Sequence, residues 1–263
     1  MISAKSVYNN LCEVRKKAPL IHNITNYVVM NNTANALLAI GASPVMAHAI
    51  EEVEEMVKIS SSLVINMGTL DNEWVKSMIA AGKKAAECEI PIIFDPVGAG
   101  ATSYRTVVAH EIMRAFHPTV IRGNASEIMA LCREKITTKG VDSSAESSQA
   151  LQAAQTLAKE NHCVVVVSGQ QDVVCDEHQV LYVNNGNPLM AKVTGLGCTA
   201  TAVVAAFVAV EKNTLIASAH AMSLMSLAGE MAGKLAKGPG SLQLEFIDKL
   251  YNIELSEMEK IFR

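Results

Sequence analysis

Short runs of β-branched and aliphatic residues alternate with longer helical patterns, and this alternation limits the possible folds more than any other feature. The runs lie at residues 62–66, 91–95, 119–124 and 163–168. They are apolar throughout, which is typical of strands buried on both faces of a parallel sheet. Helical patterns at residues 71–89, 125–132 and 144–161 alternate with them. Repeated strand and helix units predict an α/β fold with helices on both faces of the sheet.

The C-terminal part of the chain departs from this alternation. Residues 172–175 and 180–183 flank a short polar segment and predict an antiparallel hairpin at one edge of the sheet. Later residues are helical at 199–212, 215–235 and 242–262, and Gly238-Pro239-Gly240 is the clearest break. No linker or change in composition marks a boundary, so we expect residues 1–263 to form a single domain.

Composition narrows the classes of partner. The net charge of −4 and the scattered distribution of 22 Lys and Arg residues predict small-molecule partners and no nucleic acid. Six widely spaced cysteines without a CxxC pair argue against a disulfide framework or a zinc knuckle and favour a reducing cytoplasm. The longest apolar run, residues 200–210, is shorter than the ~20 residues that a spanning helix needs, so a soluble protein without a membrane partner is expected.

A glycine-rich turn, Gly195-Leu196-Gly197-Cys198-Thr199-Ala200, places a thiol in the first turn of a long Ala/Val helix. Free N–H groups and the dipole at a helix N-terminus favour a phosphate oxygen, a thiolate or a developing oxyanion. The turn also matches the G-x-G-x-x-A pattern of dinucleotide-binding dehydrogenases, although that fingerprint normally follows the first strand of a βαβ unit. The alternative interpretation is that Cys198 is a small buried apolar residue and that the glycines serve packing.

Polar residues stand where the predicted strands end. They are Asp95, Arg122, Asn124, Glu127 and Ser168. Ligands of such sheets bind outside the carboxyl ends of the strands, so we expect these residues to converge with Cys198 on one edge. The loop after Asp95 contains glycines that would let backbone N–H groups approach an anion. Taken one at a time, these residues could instead serve a turn or cap a helix, as Asn124 could cap the helix that begins at residue 125.

This set of residues suits phosphoryl transfer. A phosphate donor needs N–H groups or Arg for its oxygens, carboxylates for a divalent cation, and a group that positions the acceptor hydroxyl. The Walker pattern G-x-x-x-x-G-K-[ST] is absent, so the chain is not predicted to be a P-loop enzyme.

The chain closely resembles the hydroxyethylthiazole kinases, a thiamin-salvage family of the ribokinase-like superfamily. Five segments match in order, at residues 21–32, 41–47, 95–100, 122–127 and 195–200, which read IHNITNYVVMNN, GASPVMA, DPVGAG, RGNASE and GLGCTA. The resemblance implies a ribokinase-like, mostly parallel sheet and phosphorylation of 4-methyl-5-(2-hydroxyethyl)thiazole by ATP with Mg²⁺, giving the thiazole phosphate used for thiamin phosphate. It also implies a homotrimer with active sites between subunits, in which residues 23–32 of one chain help to close a neighbour's pocket.

The same resemblance implies individual roles. Met46, Gly195 and Asn23 correspond to the thiazole site, Arg122, Ser168 and Asn124 to the ATP site, Asp95 and Glu127 to the magnesium site, and Cys198 to the catalytic position. Sugar kinases of the superfamily usually have Asp at that last position. A thiol, with a pKa of about 8.5 against roughly 3.9 for Asp, is mostly protonated unless the helix terminus lowers its pKa. We hypothesise that Cys198 positions the hydroxyl and accepts its proton late.

Three alternatives stay open. One is a kinase of the same fold for hydroxymethylpyrimidine or pyridoxal, and another is a hydrolyase for hydrated nicotinamide nucleotides, whose members usually keep Asp in the turn. The third is a non-catalytic nucleotide-binding relative, against which the joint presence of Asp95, Glu127 and Cys198 argues.

Overall fold

One eight-stranded sheet organises the chain in the computed structural model, which describes residues 2–132 and 143–263. The strand order is β2-β1-β3-β4-β5-β6-β7-β8. The strands are β1 (Leu20–Ile24), β2 (Ser43–Val45), β3 (Ser62–Asn66), β4 (Ile92–Asp95), β5 (Val120–Asn124), β6 (Val164–Ser168), β7 (Asp172–Cys175) and β8 (Val180–Val183). Neighbours from β2 to β6 are parallel, and β7 and β8 add an antiparallel edge. The predicted α/β class and edge hairpin are confirmed.

Helices cover both faces of this sheet. They are α1 (Ala4–Lys17), α2 (Met30–Ala39), α3 (Val53–Ile59), α4 (Asn72–Glu87), α5 (Ser103–Ala115), α6 (Ala125–Cys132), α7 (Ser143–Asn161), α8 (Leu196–Val208), α9 (Thr214–Leu235), α10 (Pro239–Asn252) and α11 (Leu255–Ile261). Helices α1, α2 and α8–α11 pack on one face, and α3–α7 on the other, so each face has its own apolar core. Among the described residues, no helix has the combination of length and apolar character that crossing a membrane requires.

The C-terminal helix predicted at residues 242–262 is wrong in one respect, because the structure divides it into α10 and α11. Ile253 leaves α10 with extended backbone angles (φ −60°, ψ 132°). Glu254 is also extended and caps the start of α11. Pro239, taken as part of a break, is the first residue of α10, where its missing N–H costs nothing.

Helix α8 determines where the functional edge lies. All of its residues from Thr199 to Val208 are buried, since it packs across β1, β3 and β4 beneath α2 and α9. A helix that is apolar on every side belongs in the centre of a layer. Its N-terminus therefore lies at the carboxyl ends of the central strands, where ligands of parallel sheets bind.

Candidate active site

Four neighbouring strands end in polar side chains on the face covered by α8. Asn66 pairs with Asp95 in the register of β3 and β4, and Arg122 and Ser168 lie near the ends of β5 and β6. Side chains alternate between the faces of a sheet, so Asp95 shares a face with Ile93, which belongs to the core under α8. The edge thus places a carboxylate, a guanidinium and two neutral polar groups side by side.

A buried chain of hydrogen bonds joins the thiol to the carboxylate. Asn26 Nδ2 donates to Asn66 Oδ1 at 2.8 Å and approaches Cys198 Sγ at 3.5 Å. Asn66 Nδ2 donates in turn to Asp95 Oδ2 at 2.8 Å, and Thr201 Oγ1 of α8 donates to the same oxygen at 2.7 Å. The network fixes the orientation of Asp95 from the sheet and from the helix.

Asp95 has one oxygen left over. Oδ2 accepts both bonds, whereas Oδ1 is buried and has no partner among the described residues. Burial raises the pKa of this carboxyl from 3.8 to about 6, although Arg122, Thr201 and Asn66 favour the ionised form. A buried, unpartnered carboxylate oxygen is suited to a hard cation.

The turn before α8 is open to an anion. Gly195 has a φ of 86°, and a β-carbon there would lie 2.8 Å from Val29 Cγ1, so both the backbone angle and the space require glycine. No side chain caps α8, and Thr199 N is the first to reach an intrahelical acceptor, at Gly195 O. The N–H groups of residues 196–198 have no acceptor in the described part of the chain.

Arg122 lies beside this turn. Its Nη2 donates to Ser168 Oγ at 2.6 Å, and its Nε is buried without a partner among the described residues. A β-carbon on Gly197 would lie 2.9 Å from Arg122 Nη1, so the second glycine of the turn leaves room for the guanidinium. Fixed positive charge next to free N–H groups forms an anion site.

Cys198 is a neutral thiol in this environment. Burial, and after it the neighbouring Asp95 charge, raise its pKa from 9.0 to about 11, against hydrogen bonds from Asn66 and Asn26 and the charge of Arg122. These causes together favour the neutral thiol over the thiolate. The hypothesis that Cys198 accepts the hydroxyl proton late stays a prediction, and a protonated thiol would first have to lose its own proton.

The glycine loop after Asp95 does not offer its N–H groups to an anion, contrary to the prediction. Each N–H from residue 97 to residue 101 already has an acceptor. Gly98 N donates to Glu127 Oε1 at 2.9 Å, and Gly100 N donates to Thr106 Oγ1 at 3.0 Å. The glycines are needed for tight turns, with φ values of 76° at Gly98 and 89° at Gly100.

Glu127 and Asn124 brace each other at the corner between β5 and α6. Glu127 Oε2 accepts from Asn124 N at 2.8 Å, and Asn124 Oδ1 accepts from Glu127 N at 2.9 Å. The capping interpretation of Asn124 therefore describes what its side chain does here. Glu127 uses each oxygen for one backbone N–H, so its remaining lone pairs suit a water-mediated contact with a cation.

Asn23 and Met46, the two N-terminal residues assigned to the thiazole site, make their hydrogen bonds outside this network. Asn23 is fully buried, with Nδ2 donating to Ile21 O at 2.8 Å and Oδ1 unpartnered among the described residues. Met46 follows β2 and is partly exposed, and its carbonyl accepts from His48 Nδ1 at 3.5 Å.

Sequence reasoning missed Asn26, Asn66 and Thr201, which join Cys198 to Asp95. Asn66 ends a predicted strand, as Asp95 does, and that position was the available signal. Asn26 lies in the segment at residues 21–32 that carries the resemblance. No local pattern marks the contacts of Asn26 or Thr201, since these contacts join parts of the chain that are distant in the sequence.

A magnesium ion fits these residues in part. In the described residues no group of three or more His, Cys, Asp or Glu side chains is arranged to hold a metal ion. Magnesium in phosphoryl-transfer enzymes is commonly bound by one or two carboxylates, with water and substrate phosphates completing its shell. Asp95 with its unpartnered oxygen, supported by Glu127, meets that smaller requirement.

Comparisons with known proteins match nearly the whole chain to one family. The model of the hydroxyethylthiazole kinase family matches residues 11–256. A hydroxyethylthiazole kinase from Syntrophus aciditrophicus is 51% identical over 100% of this chain and 97% of its own. One from Desulfotalea psychrophila is 53% identical over 95% and 92%. The structure of the hydroxyethylthiazole kinase protein from Pyrococcus horikoshii superposes with a TM-score of 0.91, at 43% identity, covering 98% of each chain. A ribokinase-like protein from Enterococcus faecalis shares the fold, with a TM-score of 0.67 at 15% identity.

Proposed function

The chain belongs to the hydroxyethylthiazole kinase family, and from this membership we propose that it phosphorylates the hydroxyl of 4-methyl-5-(2-hydroxyethyl)thiazole with ATP and Mg²⁺. The family supplies the identity of the acceptor. The observation that supports phosphoryl transfer at this edge is the uncapped turn at Gly195, whose free N–H groups lie beside Arg122 and near the buried Asp95.

The phosphate donor is proposed to bind between the turn and β5. Free N–H groups at the α8 terminus and the Arg122 guanidinium would hold the oxygens of the transferred phosphoryl group, where negative charge spreads in the transition state. Ser168 accepts a bond from Arg122 and keeps its guanidinium in place. Asn124 stays a predicted contact of the donor, and its cap of α6 stabilises the corner next to it.

Asp95 is the proposed direct ligand of magnesium, with Glu127 acting through water. Bound there, the ion would neutralise donor phosphate charge. Asn66 and Thr201 keep Asp95 Oδ2 engaged, so that Oδ1 is the oxygen available for the ion.

Cys198 is proposed to position the acceptor hydroxyl. The loose transition state of phosphoryl transfer needs little removal of the hydroxyl proton before the new bond forms. A neutral thiol held by Asn26 can orient the hydroxyl without acting as an early base. Met46, Gly195 and Asn23 are the proposed thiazole-binding residues, and among them Gly195 lies closest in sequence to Cys198.

The proposed assembly is a homotrimer in a reducing cytoplasm, with residues 1–263 forming one domain. Asn26 and Val29 contact the turn of their own chain, whereas Tyr27 and Val28 are 61% and 62% exposed. Exposed apolar residues next to a site are suited to contact with a neighbouring subunit. No disulfide joins the cysteines of the described residues, in keeping with the proposed compartment.

The test is turnover of the purified protein with Mg-ATP and, separately, hydroxyethylthiazole, hydroxymethylpyrimidine or pyridoxal, with ADP release followed and the product identified by mass. We expect the thiazole phosphate as the main product. Preference for the pyrimidine or for pyridoxal would overturn the acceptor while leaving the phosphoryl-transfer site. ADP release without any phosphorylated acceptor, or no reaction at all, would overturn the proposal.

A further inference from the structure

Arg105, on the first turn of α5, has an unusual set of partners. Its Nη1 donates to Met67 O at 2.7 Å and to Val97 O at 2.8 Å, and its Nη2 donates to Gly68 O at 2.8 Å. All three acceptors are backbone carbonyls of loops. The planar guanidinium, with several donors in fixed directions, can hold such a set of acceptors at once, whereas a lysine ammonium cannot match its geometry.

These carbonyls belong to two different loops at the functional edge. Met67 and Gly68 directly follow β3, which ends at Asn66, and Val97 lies two residues after Asp95 at the end of β4. Arg105 therefore joins the segments that follow the two strands carrying the Asn66 to Asp95 hydrogen bond.

Each loop in turn holds a site side chain through an N–H group. Gly68 N donates to Asn66 Oδ1 at 3.0 Å, and Gly98 N donates to Glu127 Oε1 at 2.9 Å. The orientations of Asn66 and Glu127 therefore depend on where these loops lie. Asp95 depends on Asn66 for one of its two hydrogen bonds.

Gly98 is fitted closely to the Arg105 side chain. Its φ is 76°, and a β-carbon at this position would lie 3.0 Å from Arg105 Cδ. The stem of Arg105 thus packs against the loop whose carbonyl its guanidinium binds. Both partners make this contact possible, because the loop turns tightly at Gly98 and the Arg105 side chain is long enough to lie along it.

We propose that Arg105 is a positioning residue for phosphoryl transfer, acting through the two loops on Asn66, Asp95 and Glu127. The proposal rests on the proposed function, since it assigns Arg105 to the same site. The hydrogen bonds of the Arg105 guanidinium go to the loops after β3 and β4, so its loss should misplace the carboxylates more than the acceptor. Misplacement by about 1 Å at an active site can cost on the order of 100-fold in rate.

The experiment compares Arg105→Met and Arg105→Lys with the unmodified protein. Arg105→Met removes the donors but keeps an apolar stem of similar width, and Arg105→Lys restores a charge and one or two bonds. Arg114→Met is the matched control, because Arg114 lies on the same helix and is exposed. The readouts are kcat, the KM of each substrate, the unfolding midpoint, and amide exchange at Gly68 and Gly98 without substrate.

We expect kcat to fall about 10-fold to 100-fold in Arg105→Met, with the KM of the thiazole within about threefold. The kcat of Arg105→Lys should lie between those of Arg105→Met and the unmodified protein, and the kcat of Arg114→Met should equal that of the unmodified protein. Amide exchange should accelerate at Gly68 and Gly98, and stay unchanged within α8.

Three results would overturn the proposal. Arg105→Met could keep kcat within about twofold. The activity of Arg105→Met could fall only in proportion to its folded fraction, and Arg105→Lys could be no more active than Arg105→Met. That result would make Arg105 a structural residue. Exchange at the two glycines could also stay unchanged. A protein that phosphorylates none of the acceptors would refute the proposed function. Amide exchange is measured without turnover, so it would still show whether Arg105 joins the two loops.

Discussion

At the scale of single residues, burial determines which group is charged. A helix N-terminus stabilises an anion by about 0.3–1 kcal/mol. The pKa of Cys198 nevertheless rises from 9.0 to about 11, which corresponds to on the order of 3 kcal/mol against the thiolate. Desolvation by burial and the charge of Asp95 are the causes of this rise. The sequence shows the helix terminus but not the burial, so the state of the thiol could not be predicted from it.

Replacements of Cys198 test its role as a positioning group. We expect Cys198→Ala to retain measurable turnover with kcat lowered about 10-fold to 100-fold, because general-base steps typically contribute ~10²–10⁴-fold and the thiol supplies less than a full base. Cys198→Asp should be active, since a carboxyl is far more ionised near neutral pH, and so more available to accept a proton, than a thiol with a pKa of about 11. Steady-state kinetics with both substrates measure this. A folded Asp variant that binds the thiazole without turning over would contradict the role.

Gly197 is expected to be required for the donor rather than for folding. A β-carbon there would lie 2.9 Å from Nη1 of Arg122, the mobile end of a side chain, so Gly197→Ala should displace the guanidinium and leave the fold intact. The KM of ATP should rise about tenfold, as expected for loss of a charge-assisted contact. Gly240→Ala is the matched control, with nothing within 4 Å of the added carbon. Equal KM values for ATP in the two variants would refute this role.

At the scale of helices, strands and loops, the sequence pattern predicted those elements whose residues carry a clear local signal. The hairpin bounds at residues 172–175 and 180–183 and helix α6 agree with the prediction residue by residue. Strands β1 and β2 and helices α1, α2, α3 and α5 were not predicted from pattern. The shortest of these elements, β2, has three partly buried residues, too few for a periodic signal. The network of Asn26, Asn66 and Thr201 lay further out of reach, because it joins three separate elements.

A buried histidine links α1 to α9 and predicts a pH dependence of stability. Asn10 Nδ2 is 3.1 Å from Nδ1 of His220, and Ser6 Oγ is 3.0 Å from its Nε2. With Asn10 as donor, Nδ1 must be unprotonated. Burial lowers the pKa of His220 from 6.5 to about 4, so the unfolded chain takes up this proton first as the pH falls. Stability should therefore decrease from about pH 6.5 towards pH 4, by roughly 2 kcal/mol after allowance for partial solvent screening.

Denaturant unfolding at pH 7.5 and pH 5 measures this effect. His220→Gln, which cannot be protonated, should lose less stability between these two pH values than the unmodified protein. His117→Gln replaces an exposed histidine and should keep the full dependence. Burial also lowers the pKa of His22, so part of the slope remains in every variant. An identical slope in His220→Gln and His117→Gln would refute the assignment.

At the scale of the whole molecule, α8 belongs to both the core and the site, because its buried residues pack on the sheet and its first turn lies at the strand ends. The helix is buried from Thr199 to Val208, and its N-terminus, with the strand ends beside it, forms one functional edge. Fold class, edge and several residues of that edge were predictable because parallel α/β sheets place ligands there. Oligomeric state has no comparable signal in a single chain, since periodicity does not show which apolar face meets a neighbour.

The proposed trimer makes a prediction about Val28, which is 62% exposed beside the buried Val29. A charge at this position should be tolerated in an isolated chain but not in a subunit contact. We expect Val28→Glu to reduce the mass in solution, by light scattering, to that of one chain and to lower activity. Val107→Glu, at a position on α5 that is 59% exposed, should leave both unchanged. An unmodified protein that is monomeric and fully active would contradict the trimer.

Thiazole phosphate formation by Asp95→Asn measures whether the buried carboxylate serves phosphoryl transfer, with folding checked by unfolding at pH 8 without magnesium. Because burial raises the pKa of Asp95 from 3.8 to about 6, the folded protein loses stability as the pH rises from about 3.8 to about 6. At pH 8 the variant with the neutral Asn should therefore be at least as stable as the unmodified protein. We predict a rate about 100-fold to 1,000-fold below that of the unmodified protein, since the fixed charge for the ion and phosphate is lost. A folded variant within about fivefold of the unmodified rate would show that Asp95 is not needed for phosphoryl transfer.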